Sequence, residues 1–252
     1  MKLFVTDFDG VICDSALESL LTAFNSQQRI DDPDHPRMLS LDQIPHEIQI
    51  KFRRLRAFLH GAEDFLPIIR AVFSDRQVDT EDEFRLFREI PPRVLEESKK
   101  LFYEERDFLR QNEKELWLNL NPLFPGIGDG FRRLQPYQNV YILTTKRKED
   151  VEDILRYYDI DFPTEHINAV GTEQKFQRLI ELSEYTGCSL NDTIYLEDQI
   201  NFLPPAQSAG CTVYLAGWGY VSPQHRKTAA ANSISVIDEK RFAELIEEVL
   251  MK

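Results

Sequence analysis

Beyond Pro122 the chain breaks into short apolar runs separated by helix-patterned segments, and that alternation limits its fold more than any other feature. The runs are 139–144, 167–170, 193–196, 212–216 and 234–237. Helical patterns fill 149–158, 175–185 (stopped by Gly187) and 204–209, and 241–251 closes the chain. Apolar runs this short read as strands buried on both faces, and strands alternating with helices form a parallel sheet. One more such run, 3–6, opens the chain.

Residues 41–115 have a different texture, with one helix pattern following another. Gly61 breaks the first pattern, over 44–59, and 65–69 starts the next. Thr80 with Glu83 forms a capping box before Phe84, and Pro91-Pro92 marks a fresh start before a long amphipathic helix over 94–111. Asp14-Ser15 looks like a helix N-cap, and 28–40, with Pro33 and Pro36, reads as a loop. The expected architecture is an α/β core carrying an all-helical insert after its first strand.

Charge and length narrow the function. A net charge of −13 over 252 residues argues against nucleic acid and against an anionic membrane surface, since both call for a basic face. No apolar run approaches the roughly 18 residues of a spanning helix. The N-terminal apolar run is too short for a signal segment, so a cytoplasmic location is expected. Cys13, Cys188 and Cys211 show no metal-ligand spacing and read as free thiols.

Chemistry gathers at the strand ends. The first strand delivers Asp7 and Asp9, the second Thr144-Thr145-Lys146, and a later one Glu197-Asp198, while Lys175 opens a helix between the last two. In parallel sheets ligands bind beyond the carboxyl ends of the strands. Crowded carboxylates need a cation, and an all-oxygen ligand set suits Mg²⁺, whereas zinc would call for His or Cys. Within Asp7-Phe8-Asp9-Gly10 both acids can face one site, with Gly10 allowing an unusual turn. One acid can attack phosphorus while the other moves a proton. Thr144 can hold a phosphoryl oxygen, and Lys175 can neutralise developing charge. Lys146 and Lys148 are most simply solvated.

These segments resemble the motifs of the haloacid dehalogenase-like (HAD) hydrolase superfamily. Residues 6–15, Thr-Asp-Phe-Asp-Gly-Val-Ile-Cys-Asp-Ser, are similar to its first motif. Val140-Tyr141-Ile142-Leu143-Thr144 resembles the second, with Thr145 where Asn is common. Lys175 resembles the third, with Phe176 in place of a frequent proline. Tyr195-Leu196-Glu197-Asp198 resembles the fourth in the Glu-Asp form of beta-phosphoglucomutase and its relatives. Pro122-Leu123-Phe124-Pro125-Gly126 and Gly217-Trp218-Gly219-Tyr220 resemble further segments, the latter one common in phosphoglycolate-phosphatase-like members.

The resemblance implies a Rossmann-like three-layer core with a parallel sheet, built from 1–15 and 116–252, and an α-helical cap over 16–115. It implies a Mg²⁺-dependent phosphatase that hydrolyses a small phosphorylated metabolite through an aspartyl-phosphate. Asp7 would be nucleophile and metal ligand, and Asp9 acid/base with its backbone carbonyl on the metal. Asp198 would be a metal ligand, with Glu197 bound directly or one step removed. Thr144, Thr145, Lys175 and Gly10 would bind the substrate phosphate. Many members carry another acid four residues after the position of Asp198. Here that residue is Phe202, with Asn201 the nearest polar candidate and Glu197 a possible substitute. In the dehalogenases the position of Asp9 is not acidic, so Asp9 favours phosphate chemistry.

In the helical insert, Lys51, Arg53, Arg54 and Arg56 read either as an anion-reading face or as a solvated helix face. Arg56, His60 and Glu63, near the Gly61 break, are candidates for substrate specificity. Trp117 and Trp218 read as packing. Two alternatives stay open: a phosphotransferase of the phosphomutase type, and a catalytically silent binding module.

Overall fold

The computed structural model describes residues 2–134 and 138–250. Met251, at the end of the expected last helix, lies outside them. Among the described residues six strands form one sheet: β1 (Leu3–Thr6), β2 (Val140–Thr144), β3 (Ile167–Ala169), β4 (Thr193–Glu197), β5 (Thr212–Ala216) and β6 (Ser235–Ile237). Their order is β3-β2-β1-β4-β5-β6, and every pairing is parallel.

Strand alternation builds the two faces. Leu3 and Val5 of β1, Tyr141 and Leu143 of β2 and Tyr195 of β4 share a buried cluster with Leu179 and Leu182 of helix Lys175–Thr186. Phe4, Ile142, Ile194 and Leu196 have the opposite parity and are equally buried, so both faces of the sheet are covered. This is an α/β, Rossmann-like core.

The strand order reverses beside β1. The chain proceeds from β1 to β2 and β3 on one side, then crosses to β4 on the other. A parallel sheet opens a crevice at such a reversal, at the carboxyl ends of the strands. The register Thr6↔Leu196 sets the end of β1 directly against the end of β4. Asp7 and Glu197-Asp198 therefore emerge side by side.

The chain divides into two compact units, Met1–Asp14 with Leu123–Lys252 and Ser15–Pro122. The helix Lys114–Asn119 thus belongs with the helical unit, although 116 was the expected start of the core. Among its described residues the helical unit has no strand. Its core packs Leu20, Phe52, Leu55, Phe65, Ile68, Phe84 and Phe102, with the rings of Phe65 and Phe102 stacked at 3.9 Å. Helices Ala16–Asp31 and Pro92–Asn112 are also tied by ion pairs on the buried carboxylates Glu18 and Glu105, the second of which also takes Arg37 from the segment after the first helix. Arg106 donates to both oxygens of Glu18 (2.9 and 2.7 Å), and Glu105 accepts from Arg29 and Arg37.

Several boundaries differ from the sequence expectation. The first helix runs through Asp31, so the loop begins later than residue 28. Ser15 holds the N-cap position, but its hydroxyl makes no capping bond and accepts instead from Arg56 (3.4 Å). The expected helix over 44–59 is His46–Leu55 followed by a 3-10 turn, Arg56–Phe58. The capping box at Thr80 and Glu83 forms as expected. All three cysteines are buried free thiols, and burial pushes the Cys211 thiol up to about 11. No helix among the described residues is long and apolar enough to cross a membrane.

Candidate active site

The first loop is built around Phe8. Its carbonyl accepts from the amides of Val11, Ile12 and Cys13, which folds residues 8–13 into a tight turn directly after β1. Gly10 sits at φ +82°, a region closed to most side chains. The turn aims Asp7 inward. Its Oδ1 accepts from the Phe8 amide (2.6 Å) and its Oδ2 from Lys175 Nζ (2.6 Å).

Lys175 is the pivot of the buried cluster. Its ammonium also donates to Glu197 Oε1 at 2.5 Å. Burial alone would lower the pKa of Lys175, but the charges and hydrogen bonds of Asp7 and Glu197 outweigh it and raise the group above the ordinary lysine value. Phe202 presents its ring 4.5 Å from Nζ. Phe202, at the position where the resemblance implies an acid, thus lays an aromatic face on the lysine, and Asn201, the polar neighbour, is exposed.

Glu197 is fully committed to this scaffold. Its Oε2 accepts from the amides of Asp198 (2.9 Å) and Gln199 (3.0 Å), and the Tyr195 hydroxyl donates to Oε1 (3.3 Å). Burial pushes Glu197 well above the usual carboxylate range, Lys175 pulls it back, and Asp7 and Asp198 push it up again. Burial likewise raises Tyr195 well above an ordinary phenol, with the charge of Glu197 adding to the effect.

Asp198 completes the group. The Tyr220 amide donates to its Oδ2 (3.0 Å), and the Tyr220 hydroxyl donates to Asp14 Oδ1 (3.0 Å). Two glycines make room for this carboxylate. A Cβ on Gly10 would lie 2.0 Å from Asp198 Oδ2, and one on Gly219 would lie 2.1 Å from the Gly10 carbonyl and 2.6 Å from Asp198 Cβ. Gly219→Ala must therefore displace the first loop or Asp198. We expect it to cost about 10²-fold in kcat and to weaken divalent-metal affinity. Steady-state kinetics and a metal titration monitored by thermal unfolding check both effects.

Ligand oxygens of Asp7, Glu197 and Asp198 lie within 4.8 Å of one another, and all three residues are buried. Their three formal negative charges face the single positive charge of Lys175. The excess, together with a donor set made only of carboxylate oxygens, fits a hard divalent cation. Glu197 is the most heavily committed of the three, accepting four donors on its two oxygens where Asp7 accepts two.

Asp9 points to a different partner. It is partly exposed and takes the ammonium of Lys146 on both its oxygens, at 3.3 and 3.4 Å. The expectation that Lys146 is solvated fails, because the residue is only 3% exposed. Lys148 is half-buried. Thr144 is buried at the end of β2, where its hydroxyl accepts from the Lys146 amide (3.2 Å), and Thr145 is exposed beside it. Trp218 donates from its indole to the Val11 carbonyl (2.9 Å) and braces the first loop.

The specificity candidates of the helical unit each have a different partner. Arg56 is buried, with its guanidinium over the Phe65 ring. His60 lies 3.5 Å from Glu81, and its amide donates to Asp64 (2.7 Å). Glu63 pairs with Lys99 at 3.3 Å. The basic run divides between two faces. Lys51 and Arg54, one helical turn apart, both reach the 74–79 segment, at the Ser74 carbonyl and at Asp79, whereas Arg56 shares the buried side of the helix with Phe52 and Leu55.

The model of the haloacid dehalogenase-like hydrolases matches residues 1–210. The chain belongs to the haloacid dehalogenase-like hydrolase family. Among solved structures, a predicted phosphatase from Clostridium acetobutylicum is similar over 100% of this chain and 100% of its own, at 16% identity and a TM-score of 0.64. A predicted phosphoglycolate phosphatase from Haemophilus somnus aligns over 99% of this chain and 98% of its own, at 18% identity and a TM-score of 0.57. A haloacid dehalogenase-like family hydrolase from Streptococcus pneumoniae covers 100% and 97%, at 15% identity and a TM-score of 0.59. At these identities the likeness is one of fold. No curated protein matches the chain by sequence.

Proposed function

We propose that the protein is a Mg²⁺-dependent phosphatase that hydrolyses a small phosphorylated metabolite through an aspartyl-phosphate. The observation that carries this reading is the buried group of Asp7, Lys175, Glu197 and Asp198 at the sheet's reversal point, with Asp9 on the same loop.

In the first step a carboxylate oxygen of Asp7 forms a bond to phosphorus as the bond from phosphorus to the ester oxygen breaks. The carboxylic acid of Asp9 gives its proton to the departing oxygen, which leaves as an alcohol. In the second step the Asp9 carboxylate takes a proton from water, and the resulting nucleophile displaces Asp7 from phosphorus. Phosphate leaves and both aspartates return to their starting forms. Lys175 holds Asp7 in place and offers positive charge to the phosphoryl oxygens. The Thr144 hydroxyl, the Gly10 turn and the amides beside Thr145 hold those oxygens. Asp7, Asp198 and the backbone carbonyl of Asp9 would hold Mg²⁺, which would supply neutralising charge at the phosphoryl group. Glu197 serves by fixing Lys175 and the turn at Asp198. We assign substrate choice to the helical unit as a cap, with Arg56, His60 and Glu63 as candidate contributors.

A panel of phosphorylated metabolites and p-nitrophenyl phosphate, assayed with Mg²⁺ and with excess EDTA, tests the reading. Phosphate release that needs Mg²⁺ is the expected result. No release from any member of the panel, or equal release in EDTA, would overturn it.

A further inference from the structure

Two aspartates carry the proposed chemistry, yet the phosphate-site lysine secures only one of them. Lys175 holds Asp7. Asp9 stands on the next turn of chain with its side chain 22% exposed, and a carboxylate on a two-bond stem rotates freely unless something holds it. Among the described residues, its recorded side-chain partner is the ammonium of Lys146, bound across both carboxylate oxygens at 3.3 and 3.4 Å.

Lys146 is built for that one contact. Its side chain is 0% exposed, so its charge has left water, and Asp9 is the ion partner recorded for it among the described residues. A buried ammonium is costly unless it is paired. Its stem lies beside Asp9 because β2 pairs with β1 in the register Thr6↔Ile142, so the chain leaving β2 runs alongside the chain leaving β1. Its backbone is tied as well, since the Lys146 amide donates to the hydroxyl of Thr144. One residue thus links the proposed phosphate-holding threonine to the proposed acid/base.

We propose that Lys146 is the positioning residue of the reaction: it donates to a carboxyl oxygen of Asp9, the other oxygen carrying the proton in the first step, and so holds that side chain at a fixed angle to the phosphoryl site and ties the angle to Thr144. The two buried lysines divide the work, one to each aspartate. This inference rests on the proposed phosphatase reading, and its test separates the two.

The test compares wild type with Lys146→Met, Lys146→Arg, Asp9→Asn and the double variant Asp9→Asn/Lys146→Met. Each is assayed on p-nitrophenyl phosphate with Mg²⁺, with thermal unfolding run in parallel. Lys146→Met should lower kcat by about 10²-fold, the order of cost of a small misplacement of a reacting group, and change KM less than about threefold. Lys146→Arg, which keeps the charge, should recover about tenfold of that loss. In the Asp9→Asn background, Lys146→Met should cost nothing further, because residues acting as one unit are not additive.

Three results would overturn the inference while leaving the phosphatase reading standing. One is kcat within twofold of wild type in Lys146→Met while Asp9→Asn is crippled. Another is a rise in KM alone, which would make Lys146 a substrate-binding group. The third is an equal loss in the presence and absence of the Asp9 carboxylate, which would make its effect general. If Lys146→Met does not fold, Lys146→Arg decides on the same readouts, since a merely structural lysine would leave its kcat unchanged once the variant is folded. Full activity in Asp9→Asn would instead remove the reading on which the inference rests.

Discussion

Asp7→Asn should lower turnover of p-nitrophenyl phosphate by about four to six orders of magnitude, the scale seen when a covalent nucleophile is removed. The amide keeps the shape of the carboxylate but has no anionic oxygen to bond to phosphorus. The fold should survive. The Phe8 amide can still donate to the side-chain oxygen, and Lys175 keeps its bond to Glu197. Removing one negative charge from the crowd of Asp7, Glu197 and Asp198 also relieves repulsion, which offsets part of the lost pairing with Lys175. Thermal unfolding within a few degrees of wild type, with no phosphoenzyme trapped after acid quench, is the expected result. Turnover within tenfold of wild type would rule out Asp7 as nucleophile.

That prediction was available from the sequence, and the reason is geometric. Asp7 directly follows an apolar strand, Thr144 and Glu197 are the last residues of theirs, and Asp198 comes next. In a parallel sheet a residue just past a buried run has one place to go, the carboxyl edge, so linear position becomes spatial position. The strands themselves were legible for a related reason. Both faces of β1, β2 and β4 are buried, which leaves unbroken apolar runs.

Where the reading failed, a tertiary partner decided the outcome. Lys146 and Lys148 look alike as residues, and nothing local says that one packs its stem inward to reach Asp9, 137 residues away in sequence. Phe202 read as a missing acid, but its ring is filled against Lys175, a contact only the folded loop creates. The helix Ile127–Leu134 was hidden by Gly128 and Gly130, which lower helix propensity. There, packing wins over propensity, since a Cβ at Gly130 would lie 2.7 Å from the Phe242 ring. The helix Pro223–Ala231 does carry a local signal: Ser222 as N-cap, accepting from the His225 amide, followed by proline at the first helical position.

Lys175→Met should damage stability and catalysis together, and the two effects can be separated. In the metal-free protein the substitution leaves Asp7 and Glu197 buried side by side with no ammonium between them. Breaking a buried pair by removing one partner costs about 3 to 5 kcal/mol. Loss of the positive charge from the phosphoryl site should lower kcat by about 10³-fold. The charge argument then makes a sharper demand. If Lys175 is what balances the cluster, a divalent cation should substitute for part of it. Mg²⁺ should therefore raise the melting temperature of Lys175→Met by more than it raises that of wild type. Adding Glu197→Gln to Lys175→Met should recover stability, because it removes a charge that no longer has a partner, and yet leave kcat low. Differential scanning fluorimetry with and without Mg²⁺ on the two variants and wild type measures the stabilities and the Mg²⁺ shifts, and steady-state kinetics on p-nitrophenyl phosphate measure kcat. Equal Mg²⁺ shifts in wild type and Lys175→Met, with further destabilisation in the double variant, would show that Lys175 acts there through packing rather than through charge, and the two-lysine division of the site would lose its first half.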